Sequence, residues 1–204
     1  MGGPPLTRRP LGALALLALV GAALAPRAGQ GPEDRARMGP VQRLLGPIAS
    51  AAASVEWARY MGALDRGDTP MAYAHAARAL SLDSRAAAGW LTLADHFVFI
   101  RASPLEEPDA AARRRWIQEG LAVLRSGERR CAAPGALARY AAILRSAYLS
   151  ELPEDRLPWP GGARALLEEA REDLDRAAAL GADDLEAPLA FIEAREAELD
   201  AEGR

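Results

Sequence analysis

The 204-residue chain carries two histidines, His75 and His96, and one cysteine, Cys131, so its scope for metal ligation and acid–base work is quickly bounded. No His-x-x-x-His or Cys-x-x-Cys pattern is present, and a zinc site would have to be assembled from scattered carboxylates; no metal site is expected. Asp95 and His96 form an acid–imidazole pair suited to proton transfer, but neighbours on a helix point about 100° apart. A boundary histidine is the ordinary reading there. Ser103 and Ser126 offer hydroxyls, and Glu106, Glu107, Glu151, Glu154 and Asp155 offer paired acids in loops. None stands in a nucleophile-elbow or triad-like context, and no glycine pattern cradles a phosphate. The expectation is therefore no catalytic residue and no cofactor. Cys131 cannot close an internal disulfide and reads as a core or boundary thiol.

The charge balance points away from nucleic acid. There is no lysine or asparagine, all 25 basic residues are arginine, and setting aside the two charges of Arg8 and Arg9 takes the formal net charge from −3 to −5. Residues 11–25, LGALALLALVGAALA, are an unbroken apolar run behind Arg8 and Arg9, the layout of a signal peptide. As a helix the run reaches about 22 Å, against about 30 Å of bilayer hydrocarbon. Cleavage is favoured over permanent anchoring on length, but Pro26 hinders a cut after Ala23-Leu24-Ala25, so residues 1–25 are a signal peptide or an N-terminal membrane anchor. Thr7-Arg8-Arg9-Pro10-Leu11 partly resembles a twin-arginine signal. The protein is expected to be exported, periplasmic or secreted, with any membrane contact made through this segment. Residues 26–46, rich in Pro, Gly and Arg, read as a flexible linker.

From residue 47 the chain alternates helical periodicity with Gly or Pro punctuation and has no period-two run of β-branched residues, so an all-α domain is predicted over 47–204. Helices are expected at about 48–64, 69–82, 86–100, 109–125, 134–149, 163–180 and 185–199. Thr69 and Pro70 mark a helix start, with Ala72, Ala76 and Ala79 forming a stripe without bulk that lets a neighbouring helix approach. Trp90, Leu93 and Phe97 form the core face of the next helix, and Trp116, Ile117, Leu121 and Leu124 that of the one after. Arg113, Arg114 and Arg115 read as a solvated face, as does the run Glu168-Glu169 and Glu172-Asp173 interleaved with Arg171 and Arg176.

Residues 67–97, GDTPMAYAHAARALSLDSRAAAGWLTLADHF, resemble the second helix of one tetratricopeptide repeat and the first helix of the next. Gly67 and Asp68 fall on the family's turn, Ala72 and Ala79 on its small residues, Leu80, Leu82 and Asp83 on its exit, and Trp90 on its Trp. Ser84 stands where the family has Pro and Ala94 where it has Gly. Ala170, Leu174 and Ala177 repeat the small-residue spacing more weakly, and the 101–108 loop is an insertion. The resemblance implies antiparallel helical hairpins stacked as a short solenoid, acting as an adaptor or scaffold for a protein or peptide partner.

It also implies a groove on the first helix of each hairpin, which would place Leu91, Asp95, Val98 and Phe99 on the binding surface. An apolar or basic peptide suits that surface, whereas burial under the 101–108 loop is the competing account. Trp159, between Pro158 and Pro160, is a further contact candidate, with a role as a loop plug the commoner fate of such a residue. The rival to an adaptor is a helical enzyme or small-ligand-binding bundle with its pocket near Asp95 and His96.

Overall fold

The computed structural model describes residues 46–153 and 159–202. The leader and linker expectations lie outside these residues. The described residues are all helical, without a strand, in seven α-helices: α1 (Pro47–Asp65), α2 (Thr69–Leu82), α3 (Ala87–Asp95), α4 (Ala110–Glu128), α5 (Pro134–Ile143), α6 (Gly162–Ala179) and α7 (Glu186–Glu202). No described helix is long and apolar enough to cross a membrane. The chain divides into two compact units at Asp83/Ser84, with α1 and α2 in the first and α3–α7 in the second. The window 67–97, on which the expected resemblance rests, straddles that division.

In the first unit, α1 buries Ala49, Ala53, Glu56, Tyr60 and Ala63, at spacings that alternate between four and three and so keep to one side of the helix. On α2, Ala72, Ala76 and Ala79 are each fully buried, as their spacing predicts. A seam of methyl groups lets two backbones pack closely but brings little apolar area per residue. The cap of α2 differs from expectation: Asp68, not Thr69, accepts the Met71 N–H at 3.2 Å, which puts Thr69 and Pro70 inside the first turn. A carboxylate also suits the positive end of the helix better than a hydroxyl does. At the other end of α2, the Ser50 hydroxyl donates to Asp83 at 2.7 Å, tying the start of α1 to the exit of α2.

The second unit is built on larger side chains and on glycines that make room for them. Gly120 and Gly127 lie seven residues apart on α4, where a Cβ at Gly120 would meet Val98 Cγ2 at 2.7 Å and one at Gly127 would meet Leu137 Cδ1 at 2.5 Å and Trp90 Cγ at 2.7 Å. The missing side chains bring α3 and α5 against α4, with Ile117, Leu121, Leu124, Leu137 and Trp90 filling the interior. Trp116, expected in the core, is only half-buried: it stacks on Phe97 at 5.8 Å and carries the Arg101 guanidinium 4.7 Å above its ring. Further along the chain, Ala142, Leu167, Ala170, Leu174 and Ile192 join α5, α6 and α7, supported by Leu185 and Leu199. Gly181, at φ 77°, ends α6 as expected; Ala182 N–H reaches Ala177 O at 2.9 Å and Gly181 N–H reaches Ala178 O at 3.0 Å, a Schellman closure.

Two predicted helices change hydrogen-bond register part-way. The 86–100 helix is α only to Asp95 and continues as a π-helical stretch over His96–Arg101, with Ala102 N–H bonded to Phe97 O at 3.0 Å. The 134–149 helix is α to Ile143, π over Leu144–Tyr148, then 3₁₀ over Leu149–Glu151. Each π-helical stretch inserts one residue into a turn and rotates everything beyond it, and the 3₁₀ turn after the second tightens the chain again.

Candidate functional site

The two π-helical stretches meet. Asp95, the last α-helical residue of α3, accepts a hydrogen bond from the Tyr140 hydroxyl at 2.5 Å, and Phe99, four residues on, packs edge-on against Tyr148 with ring centroids 4.8 Å apart. Leu91, Asp95 and Phe99 are spaced by four and share one side of their helix, and Tyr140 and Tyr148 come from α5 and its continuation. Leu91, Asp95, Tyr140 and Tyr148 are half-buried, while Phe99 keeps 38% of its surface in contact with solvent and its neighbour Ile100 keeps 52%. Burial, followed by the bond to Asp95, pushes the Tyr140 hydroxyl above its ordinary pKa of 10.0, so it stays protonated and donates at neutral pH.

Val98, expected beside these residues, is 1% exposed and lies against Gly120. The absent side chain of that glycine draws α4 close enough to cover it, so Val98 is a core residue and not part of the strip. His96 is also buried and does not share the environment of Asp95. Burial above all, then the nearby Arg101 charge, holds its imidazole below the ordinary 6.5, with Glu106 pulling the other way. Asp95 therefore addresses Tyr140, whereas His96 sits among Arg101, Glu106 and the ring of Phe97, 6.1 Å away.

Trp159 is 8% exposed, and its indole N–H donates to Glu169 at 3.3 Å, so it fills the loop position of a plug rather than standing out as a surface anchor. Behind it runs a chain of charges. Arg145 Nε donates to Glu169 at 2.9 Å, Arg145 and Arg176 both bond Asp173, and Arg176 Nε donates to Glu128 at 3.0 Å. Asp173 is 1% exposed and Arg145 3%, so the acidic run of α6 is not a solvated face throughout: one carboxylate turns inward and is neutralised by two guanidiniums. Arg113 is likewise not solvated. It is buried and donates to Glu107 O at 3.0 Å and Pro108 O at 2.7 Å, fastening the inserted loop to α4.

The first unit has its own buried acid. Glu56 lies in the alanine seam, 2.6 Å from His75 Nδ1 and 2.5 Å from Arg59, and the hydrogen bond from His75 is the main reason its carboxyl lies below its ordinary value. Among the described residues, no group of three His, Cys, Asp or Glu side chains converges as a metal site. Tyr140 and Tyr148 are the members of this strip that the sequence does not point to. A signal was available in the shared period of Tyr140 and Tyr148, eight residues apart, but nothing local links that side of α5 to Leu91, Asp95 and Phe99. No family model, no curated protein and no solved structure matches the chain.

Proposed function

We propose that the protein is an exported adaptor of tetratricopeptide-like architecture, which binds a protein or peptide partner on the strip formed by Leu91, Asp95 and Phe99 with Tyr140 and Tyr148. The observation that carries this reading is the partly open Phe99, held edge-on by Tyr148 beside a half-buried acid. An aromatic fixed in place and left accessible loses little entropy when a partner covers it.

The order of contacts in the second unit supports the solenoid part of the proposal. Trp90 and Leu137 meet at Gly127, Asp95 meets Tyr140, and Phe99 meets Tyr148, so α3 and α5 run side by side in the same sense. Between α3 and α4 the order reverses, since Trp90 lies at Gly127 and Val98 at Gly120; between α6 and α7 it reverses too, Arg164 pairing with Asp200 and Arg171 with Glu196. Stacked antiparallel hairpins place successive first helices in this relation and line a shared groove with them. The export part rests on residues 11–25 alone.

A photo-crosslinking residue at position 99, introduced into the full chain in its native source, tests the adaptor reading. A discrete adduct at 99 that is missing from a control at the exposed Arg115 is expected, together with a new N-terminus in the isolated protein. Identical adduct patterns at 99 and 115 would remove the strip from consideration, and an intact N-terminus in the membrane fraction would replace the cleaved signal with an anchor.

A further inference from the structure

We propose that the strip takes a cationic side chain, arginine or lysine, from its partner: Asp95 supplies the charge, Phe99 and Tyr148 supply the aromatic wall, and Leu91 faces an apolar neighbour in the same peptide. This rests on the adaptor reading and specifies its ligand.

The argument begins with how this chain treats its enclosed carboxylates. Glu56 is paired with Arg59 and His75, Glu128 with Arg176, Glu169 with Arg145, Asp173 with Arg145 and Arg176, and Glu196 with Arg171. In each case a cation offsets the loss of hydration. Asp95 departs from that pattern, as Glu107 in the 101–108 loop does with the Asp109 N–H, but Asp95 is the acid on the candidate strip: it is half-buried, and its hydrogen-bond partner is the neutral hydroxyl of Tyr140, which engages Oδ1. One neutral donor leaves most of the acceptor capacity of a carboxylate unused.

The surroundings suit an organic cation better than a bare metal ion. One turn beyond Asp95 stands the Phe99 ring, edge-on to Tyr148, and the faces of such rings attract guanidinium and ammonium groups. Carboxylate and ring act on different parts of the same side chain, the first on its N–H donors and the second on its plane or its methylenes. The high proton affinity of Tyr140 completes the arrangement, because its hydroxyl remains a donor that fixes the Asp95 rotamer without neutralising it.

The test uses a phage-displayed library of random dodecapeptides, panned against the full chain with the Phe99→Glu chain as counter-selection. The proposal expects a pool enriched in Arg or Lys beside apolar residues. The best peptide, made synthetically, should lose about tenfold in affinity when its arginine is replaced by neutral, isosteric citrulline, and the same when Asp95 is replaced by Asn in the protein. Tyr148→Leu should weaken the arginine peptide and leave the citrulline peptide unchanged. Because Asp95→Asn preserves shape and an acceptor for Tyr140, an unchanged melting curve separates loss of charge from loss of fold. Selected peptides without basic residues, or equal binding to the Asp95→Asn chain, would overturn the cation subsite and leave the adaptor reading standing. A library that binds the Phe99→Glu chain as well as the original would overturn both.

Discussion

The two units bury acids by opposite means. In the α1–α2 unit a single carboxylate, Glu56, is set into a seam of alanines and answered from the same pair of helices by His75 and Arg59. In the α3–α7 unit the buried charges form a chain, Glu169–Arg145–Asp173–Arg176–Glu128, that ties three helices and a loop tryptophan together. The first arrangement is local and small-grained, and the second depends on residues up to 48 positions apart in the chain. Close approach is obtained differently as well: the first unit uses alanines on both helices, and the second uses Gly120 and Gly127 on one helix against Val98, Trp90 and Leu137 on the others. Small side chains in a regular stripe can be read from a sequence, whereas a glycine that makes room for a tryptophan cannot be recognised until the tryptophan is in place.

Substitutions should separate the units, with the largest effect in the charge chain. Arg145→Met leaves Asp173 with one guanidinium and Glu169 without its own, and is expected to cost about 3–5 kcal/mol in chemical denaturation of the second unit. Gly127→Val drives a branched side chain into Leu137 and the Trp90 ring and should cost about 3 kcal/mol, read as loss of amide protection in α3–α5. The matching change in the first unit, Ala76→Leu, overpacks the seam and should cost about 2 kcal/mol, read as loss of protection in α1 and α2. If Gly127→Val proved milder than Ala76→Leu, the contrast between the two packing modes would fail.

Acid should distinguish the units by window. His96 and Glu56 both fold with pKa values below their ordinary 6.5 and 4.5, so in each case the unfolded chain takes up the proton first and stability falls with pH. For His96 the loss begins below 6.5 and is complete below its folded value; for Glu56 the contribution is intact above 4.5 and is lost as pH falls through its folded value. Hydrogen exchange followed from pH 7 to pH 3 should therefore show α3–α4 weakening before α1–α2, with His96→Gln flattening the first response and Glu56→Gln the second. Simultaneous weakening, unaffected by either variant, would remove these groups as the cause. The smallest effect on stability is expected at the strip, where Phe99→Glu gives up the ring contact with Tyr148 and should cost about 1 kcal/mol while abolishing peptide binding.

Much of the helical framework was legible in the sequence. Periodicity and punctuation located all seven helices within a few residues, because Pro, Gly and capping side chains act on the backbone next to them. The alanine stripe Ala72, Ala76, Ala79 and the Gly181 stop are of this kind. The site was legible only in part. Leu91, Asp95 and Phe99 share a strip that their spacing of four implies, and Trp159 takes the commoner fate of a proline-flanked loop tryptophan, a buried plug, but Val98, expected on the strip, belongs to the core. Arg113 and Asp173 stand in charge runs, which are exposed in most helices; Arg176, one turn from Asp173, reads as an ordinary surface partner, and nothing near Asp173 announces Arg145, 28 positions away, that turns the carboxylate inward.

What the sequence determined by itself was therefore what depends on near neighbours: an all-helical body, the helix ends, the faces rich in alanine and leucine, and the net acidity. Tertiary structure alone decided which helices continue with π-helical turns, which charges turn inward, and that Tyr140 and Tyr148 close on Asp95 and Phe99 from more than forty residues away. The physical reason is one of range. A cap or a proline changes the free energy of its own turn, but a hydrogen-bond register or a buried ion pair gains its stabilisation from groups that only folding brings within reach.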